Sequence, residues 1–334
     1  MQKLSSKATD IILKVDGLKK FFAADRGLFS KVKHFVHAVD DVSFEIKRGK
    51  SLGLVGESGC GKTTTGKVIV GLEKPTAGNV FIEGKEIYRF PSKLEYHKKV
   101  QMIFQDPYES LNPRMTIFDI IAEPLNIHNI GNLKEREEKV LKLLQDVGLT
   151  PPSSFLWRYP HELSGGQRQR VAIARALVLE PTFIVADEPT SMLDVSVRTG
   201  VMNLLMELQE KYNMSYLYIT HDFAVARYMC DKIAVMYLGK IVEYADAEEI
   251  LFNPLHPYTK ALLSAVPIPD PDYVKGEPNI IGSVSKPINP PPRCRFYDRC
   301  PFRTKDCEKN PHPPLKDMGN GHYVSCYLVA EGKI

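Results

Sequence analysis

The sequence predicts an α/β fold on three observations. Short apolar runs recur along the chain, amphipathic stretches of helical spacing lie between them, and one glycine-rich segment, GESGCGKTT at 56–64, joins a strand pattern to a helix pattern. Strands alternating with helices favour a sheet covered by helices.

Each element has its own reason. IILKV (11–15) and VSFEI (42–46) alternate or run apolar as strands do, and the turn-like Lys47-Arg48-Gly49 follows the second. SLGLVG (51–56) is a short buried-strand pattern ending on glycine, and KTTTGKVIVGL after it is helix-like. NVFIE (79–83) is again strand-like. Leu133, Val140, Leu141, Leu143, Leu144 and Val147 lie at helical spacing with charges opposite. VAIARALVLEP (171–181) is a helical run, whereas Thr182–Asp187 and Ser215–Thr220 are short apolar strands. After Leu262 the texture changes to PIPDPDY and KPINPPPR, and fourteen of the 24 prolines lie from Pro254 onward. Proline removes a backbone donor and disfavours a regular helix or a central strand, so a second, irregular unit is expected near Val266.

Composition sets the class. With 334 residues, 43% hydrophobic and 25% charged, the chain reads as an ordinary globular protein. MQKLSSKATD lacks the apolar core of a secretory signal, and no stretch approaches the roughly 18 apolar residues of a membrane span. Cytosolic residence is expected. The net charge of +4 is that of the tail, where nine Lys/Arg stand against five Asp/Glu from Lys286 onward.

GESGCGKTT matches G-x-x-x-x-G-K-[ST] in the strand-then-helix context that its mechanism needs. Gly56, Ser58, Gly59, Cys60 and Gly61 supply a curled backbone whose N–H groups point at phosphate oxygens, with the next helix adding its positive end. Lys62 reaches the outer phosphates, the Thr63 hydroxyl is a Mg²⁺ ligand, Thr64 closes the motif, and Cys60 reads as a small filler. Downstream, LSGGQRQR (163–170) precedes a helix and FIVADEPTSMLD (183–194) follows. Asp187, ending a buried strand, is placed to hold Mg²⁺ through water, and Glu188 to polarise an attacking water for in-line phosphoryl transfer. His221 ends the strand LYIT and is placed to contact a γ-phosphate, and Gln105 in IFQDP stands at another strand end. Singly, each has a bland structural explanation; in this order they do not.

Over roughly residues 10–265 the sequence resembles the ATP-binding subunits of ABC transporters. The resemblance rests on GESGCGKT, Gln105, LSGGQ, FIVADE, SMLD and His221. It implies a P-loop ATPase cassette of RecA-like core, antiparallel β subdomain and helical subdomain (approximately 106–180), followed by a small irregular extension at 266–334. It implies ATP and Mg²⁺ as cofactors, with Gln105 sensing Mg²⁺ and the γ-phosphate. Glu188 is then general base and His221 stabilises the transition state. Ser164, Gly165, Gly166 and Gln167 close over ATP bound on another subunit, with Asp194 in the facing D-loop. Met192 departs from the usual alanine there, but Asp194 is retained. Family spacing points to Phe22 as the aromatic that stacks on adenine, with Phe29 and Phe35 as rivals.

IFQDPYESLNPRMTIFDIIAEPL and NPLHPYTKALLSAVPIPDP look like the ATPases of oligopeptide and dipeptide importers, a group that includes nickel and some sugar systems. The first would offer Phe104 to Leu125 as an amphipathic groove for a membrane subunit's coupling helix. The resemblance implies a second, different ATPase as partner, two transmembrane permease subunits, indirectly an extracytoplasmic substrate-binding protein, and a peripheral place on the cytoplasmic face of the membrane. A soluble ABC ATPase acting on nucleic acid is the rival class. One cassette, with only about 100 residues between P-loop and signature, argues against both its two-cassette and its coiled-coil forms.

Four of the six cysteines fall in the last 41 residues: Cys294, Cys300, Cys307 and Cys326, spaced C-x5-C-x6-C-x18-C. A reducing cytosol disfavours disulfides. Structural zinc usually draws on closer pairs, whereas a [4Fe–4S] cube suits wide loops, and the interleaved basic residues would offset its charge. Members of the resembled importer group carry a similar tail, some with such a cluster. The cluster is expected, with Zn²⁺ or plain buried thiols as alternatives.

Overall fold

The computed structural model describes residues 10–24, 34–265, 280–283 and 285–334. In chain order its elements are β1 (Ile11–Ala23), β2 (Phe35–Lys47), β3 (Ser51–Val55), α1 (Lys62–Ile69), β4 (Ala77–Ile82), β5 (Lys85–Glu86), α2 (Lys93–Lys99) and β6 (Val100–Ile103). There follow α3 (Pro107–Ser110), α4 (Ile117–Ile127), α5 (Leu133–Asp146), α6 (Gly165–Leu177), β7 (Phe183–Asp187), α7 (Val195–Tyr212), β8 (Ser215–Thr220) and α8 (Phe223–Met229). The last are β9 (Lys232–Tyr237), β10 (Lys240–Asp246), α9 (Ala247–Phe252), α10 (Pro257–Ala265), α11 (Lys305–Lys309), β11 (Lys316–Asp317), β12 (Tyr323–Val324) and α12 (Tyr327–Ala330). The described residues fall into two compact units, one of residues 10–13, 46–50 and 81–217, the other of 14–24, 34–45, 51–80, 218–265, 280–283 and 285–334.

In the first unit β6 pairs parallel with β7, Val100 opposite Phe183 and Ile103 opposite Ala186. All five residues of β7 are buried, as a parallel strand covered on both faces requires. Capping boxes start α4 (Thr116 with Asp119) and α5 (Asn132 with Glu135), each satisfying two otherwise orphaned helix N–H groups. Ile117, Ile120, Ile121, Leu125, Val140, Leu143 and Leu144 are buried from these two helices, and Val171, Ile173, Ala174 and Leu177 from α6. Arg175 ties α6 to its neighbours, donating to the Ser110 carbonyl at 2.7 Å and to Glu123 at 3.2 Å. Leu133, expected on the apolar face of α5, is exposed because it is the first helical residue, where the cap directs the chain. Within 104–125 the exposed and buried apolar residues separate along the chain. Phe104 and Tyr108 face solvent, with the Arg168 guanidinium 4.0 Å from the Tyr108 ring centroid, whereas the apolar residues of α4 are spent on helix packing.

In the second unit the strand order runs β11-β12-β10-β9-β3, and separately β1 lies between β2 and β4. β3 is parallel to β9 (Leu52 opposite Lys232, Val55 opposite Val235), and β10 is antiparallel to β9. Val55, Val235, Tyr237, Ile250, Tyr258, Phe296 and Cys300 share one core. The tail is thus packed into the unit through Phe296 and Cys300. Its prolines do preclude long elements, but the proline-free stretch after Pro314 supplies β12, which pairs with β10 on one side (Glu243 opposite Val324) and β11 on the other. A second tail segment meets β2, where Asn289 N–H donates to the Phe35 carbonyl and His37 N–H to the Pro287 carbonyl, both at 2.9 Å. The boundary expected near Val266 lies outside the described residues.

Candidate functional site

The P-loop lies in the second unit, between the buried end of β3 and the start of α1. Gly61 caps α1 at φ +111°, a conformation side chains avoid, and a Cβ there would stand 2.0 Å from the Ala38 carbonyl oxygen. Lys62 is buried, and its Nζ donates to the carbonyls of Gly56 (2.6 Å) and Glu57 (3.0 Å). The lysine therefore curls back over its own loop, a cation held by carbonyls that an incoming anion would replace. Cys60 is buried in the loop, and burial pushes its thiol up despite the neighbouring Lys62. That fits a filler and argues against a nucleophile. Thr63 and Thr64, in the first turn of α1, are half-buried, and Ser58 and Gly59 are exposed at the loop tip.

His221 directly follows β8 and is exposed. Phe22, near the end of β1, is half-buried, with Lys20 Nζ 4.7 Å from its ring centroid. Phe35 opens β2 and is exposed, and Phe29 lies outside the described residues. Phe21 stacks on His37 at 3.9 Å between ring centroids.

In the first unit, Asp187 closes β7, almost wholly buried, and Glu188 turns the chain at φ +44°. A glutamate held in the left-handed region is costly, and such strain clusters at functional sites. The turn is fastened by Ser191, whose N–H and hydroxyl both donate to the Glu188 carbonyl, at 3.1 and 3.0 Å. Gln105, just past β6, donates from Nε2 to Glu188 Oε2 at 3.2 Å. Two residues 83 positions apart, each singled out in the sequence, therefore share one contact. The signature is a capping box: Ser164 Oγ accepts from Gln167 N–H at 3.3 Å, and Gln167 Oε1 accepts from Ser164 N–H at 3.0 Å. Gly166 is required by packing, since a Cβ would lie 2.5 Å from Val197 Cγ1, whereas Gly165 has ordinary room. Asp194 caps α7 through its carbonyl, which accepts from Val197 and Arg198 N–H.

Two residues of NPLHPYTKALL, His256 and Tyr258, also bear on the P-loop. His256 is buried. Its N–H donates to Glu243 at 3.0 Å, and its Nδ1 accepts from Tyr258 N–H at 3.0 Å. The Tyr258 hydroxyl accepts from Glu57 N–H in the P-loop (3.1 Å) and donates to the Glu57 carboxylate (3.3 Å). The signal was the motif itself, but its target some 200 residues away was not readable.

All four tail cysteines are free thiols. Cys294 N–H donates to the Cys307 carbonyl at 3.0 Å, and Thr304 Oγ1 lies 3.4 Å from Cys307 Sγ. Burial first, then the neighbouring sulfurs, pushes Cys294 up to about 12 and Cys300 to about 11; burial also raises Cys326. Among the described residues no three His, Cys, Asp or Glu side chains converge as a ready metal-binding group. The donor set suits a thiophilic metal, since a cation would supply the charge that these thiols need in order to ionise.

The chain matches the family model "ABC transporter" over residues 39–191 and "Oligopeptide/dipeptide transporter, C-terminal region" over 242–307. It is 48% identical over 326 residues to the oligopeptide transport ATP-binding protein AppF of Bacillus subtilis, covering 96% of this chain and 98% of that one. With the dipeptide transport ATP-binding protein DppF of Haemophilus influenzae it shares 46% identity over 320 residues, 95% and 97% of the two chains. Among solved structures, the cassette MJ0796 in a dimeric post-hydrolysis state with ADP and Pi matches with a TM-score of 0.61 and 30% identity, over 71% of this chain and 99% of that one. The protein cbiO1 of Clostridium perfringens, part of the ABC transporter complex cbiONQ, matches with a TM-score of 0.62 and 28% identity, over 73% and 92%.

Proposed function

The chain belongs to the ATP-binding proteins of the oligopeptide/dipeptide ABC transporters, and from that membership we propose that it hydrolyses ATP to power import of di- or oligopeptides. It is an ABC-type ATPase. The observation that carries the chemistry is the hydrogen bond from Gln105 to Glu188, which holds a carboxylate in a strained turn at a strand end.

Lys62 gives up the carbonyls of Gly56 and Glu57 and turns its charge to the outer phosphates, while the N–H groups of Gly59 to Thr64 line the chain of phosphates. The Thr63 hydroxyl and the Gln105 amide oxygen are each a hard oxygen donor of the kind that Mg²⁺ prefers and would serve as its ligands, with Asp187 acting through water. Bound there, Mg²⁺ supplies charge neutralisation of the phosphoryl oxygens. Glu188 takes the proton of the attacking water, and His221 contacts the γ-phosphate. Phe22 stacks on adenine. Ser164, Gly165, Gly166 and Gln167, with Asp194, serve the ATP of a second cassette, so each site is completed by a head-to-tail pair.

The partners in this reading are a second, different ATPase subunit, two permease subunits and, indirectly, a substrate-binding protein. Among the described residues no helix is long and apolar enough to cross a membrane. The chain would then sit peripherally on the cytoplasmic face. We assign residues 1–265 to the cassette, with its helical subdomain near 106–180, and 266–334 to an extension in which Cys294, Cys300, Cys307 and Cys326 hold a [4Fe–4S] cluster. The mutual electrostatic influence of the four thiols, with the charge of Arg303 acting on Cys300, supports that assignment. Protein purified without oxygen should be brown, with about four irons per chain; colourless protein with one zinc would overturn it.

The decisive experiment is uptake by the assembled transporter in vesicles. ATP should drive accumulation of a di- or oligopeptide, and Glu188→Gln should lower turnover by about 10²- to 10⁴-fold while ATP still binds. Uptake of nickel or an oligosaccharide with no peptide uptake would refute the assigned cargo.

A further inference from the structure

The P-loop is gripped from outside by the cysteine-bearing tail. Arg299, one residue before Cys300 and 7% exposed, places its guanidinium on Glu57, the residue after Gly56. Nη1 donates to Oε2 at 2.6 Å and Nη2 to Oε1 at 3.0 Å. This is the bidentate fork-to-carboxylate geometry that gives arginine pairs their strength and direction. Tyr258 completes the grip by bonding both the backbone N–H and the carboxylate of Glu57. Glu57 is in turn one of the two residues whose carbonyls hold Lys62 Nζ. One short path of contacts thus runs from the tail through Glu57 to the phosphate-binding lysine.

Arg299 is itself held firmly. Its N–H donates to the Phe296 carbonyl, and its carbonyl accepts from Ile281 N–H, both at 3.0 Å. Phe296 is buried against Tyr237, Tyr258 and His256. Nothing in the P-loop chemistry needs an acid at position 57, and a bare carboxylate in a loop that wraps polyphosphate would oppose binding.

We propose that Arg299 is a positioning residue of the nucleotide site: it neutralises and orients Glu57, so that the tail sets the affinity of the P-loop for ATP. The proposal rests on the reading of residues 56–64 as the ATP site and adds the tail to it. With Arg299 removed, Glu57 keeps its charge and loses its partner. Repulsion between that carboxylate and one phosphate charge about 10 Å away, at an effective dielectric near 20, weakens binding by on the order of tenfold.

The test is the MgATP dissociation constant of the full-length protein, read with a fluorescent ATP analogue, together with the melting temperature of each variant. Arg299→Gln should bind about tenfold more weakly than wild type. Adding Glu57→Gln should restore binding to near the wild-type value, because the neutral amide still accepts from Tyr258. Arg299→Lys should fall between, keeping the charge without the fork. Glu57→Gln alone should bind at least as tightly as wild type, and this arm decides the matter if Arg299→Gln does not fold. A double variant no better than Arg299→Gln would show a merely structural contact and overturn the proposal. Wild-type affinity in Arg299→Gln, with Lys62→Ala defective, would overturn it too while leaving the ATP site intact. Wild-type affinity in Lys62→Ala would instead remove the ATP-site reading, and the proposal with it.

Discussion

Acid should loosen the second unit through His256. This imidazole is fully enclosed, and its Nδ1 must stay unprotonated to accept the Tyr258 N–H. Burial, reinforced by Lys260 and opposed by Glu243, pushes its pKa down to about 4. Above the ordinary histidine value near 6.5, folded and unfolded chains are both neutral at this site, and it leaves stability unchanged with pH. Between 6.5 and 4 the unfolded chain takes up a proton that the folded chain refuses, so stability falls as pH falls, and it levels off below 4. The full loss is roughly 3 kcal/mol, at 1.36 kcal/mol per pH unit, of which about 2 kcal/mol is gone by pH 5. His312 is also held well below its usual range, by burial and then by Lys240, His256 and Arg295, and it steepens the same slope. Comparison with His256→Asn, which can accept the Tyr258 N–H but does not titrate, isolates the first histidine. Urea unfolding of both proteins at pH 7 and pH 5 should show wild type losing about 2 kcal/mol more than the variant. Equal losses would refute the reasoning.

Lys62→Ala should lower ATP affinity by at least about tenfold, because it removes the charge now lodged on the Gly56 and Glu57 carbonyls; nucleotide titration reads this directly. Ser164→Arg should leave ATP binding by the lone subunit nearly intact and abolish ATP-driven pairing and turnover. It also forfeits a helix cap worth about 1 kcal/mol, which sedimentation and a denaturation curve would separate. Gly166→Ala should cost about 1–3 kcal/mol, since its new methyl meets the stiff Val197 side chain, and Val197→Ala in the same chain should recover most of that loss.

What was legible in the sequence was local. Buried strands such as SLGLV and FIVAD, the helix of 133–147, and the capping box within LSGGQ depend on residues a few positions apart, and the backbone obeys those neighbours wherever the segment docks. The order of P-loop, Gln105, signature, Asp187-Glu188 and His221 was likewise readable as chemistry, since each requires a residue type at a strand or helix end. Long-range docking was not. That Gln105 reaches Glu188, that β12 inserts between β10 and β11, and that Glu243 is buried under three donors from Leu255, His256 and His322 follow from packing between distant segments. Glu57 is the sharpest case. In the sequence it is one variable position in a loop motif, with nothing beside it to fix its role. Only the folded chain brings Arg299 from 242 residues away to match its two oxygens, because a charge inside a protein takes its meaning from whatever counter-charge the fold delivers to it.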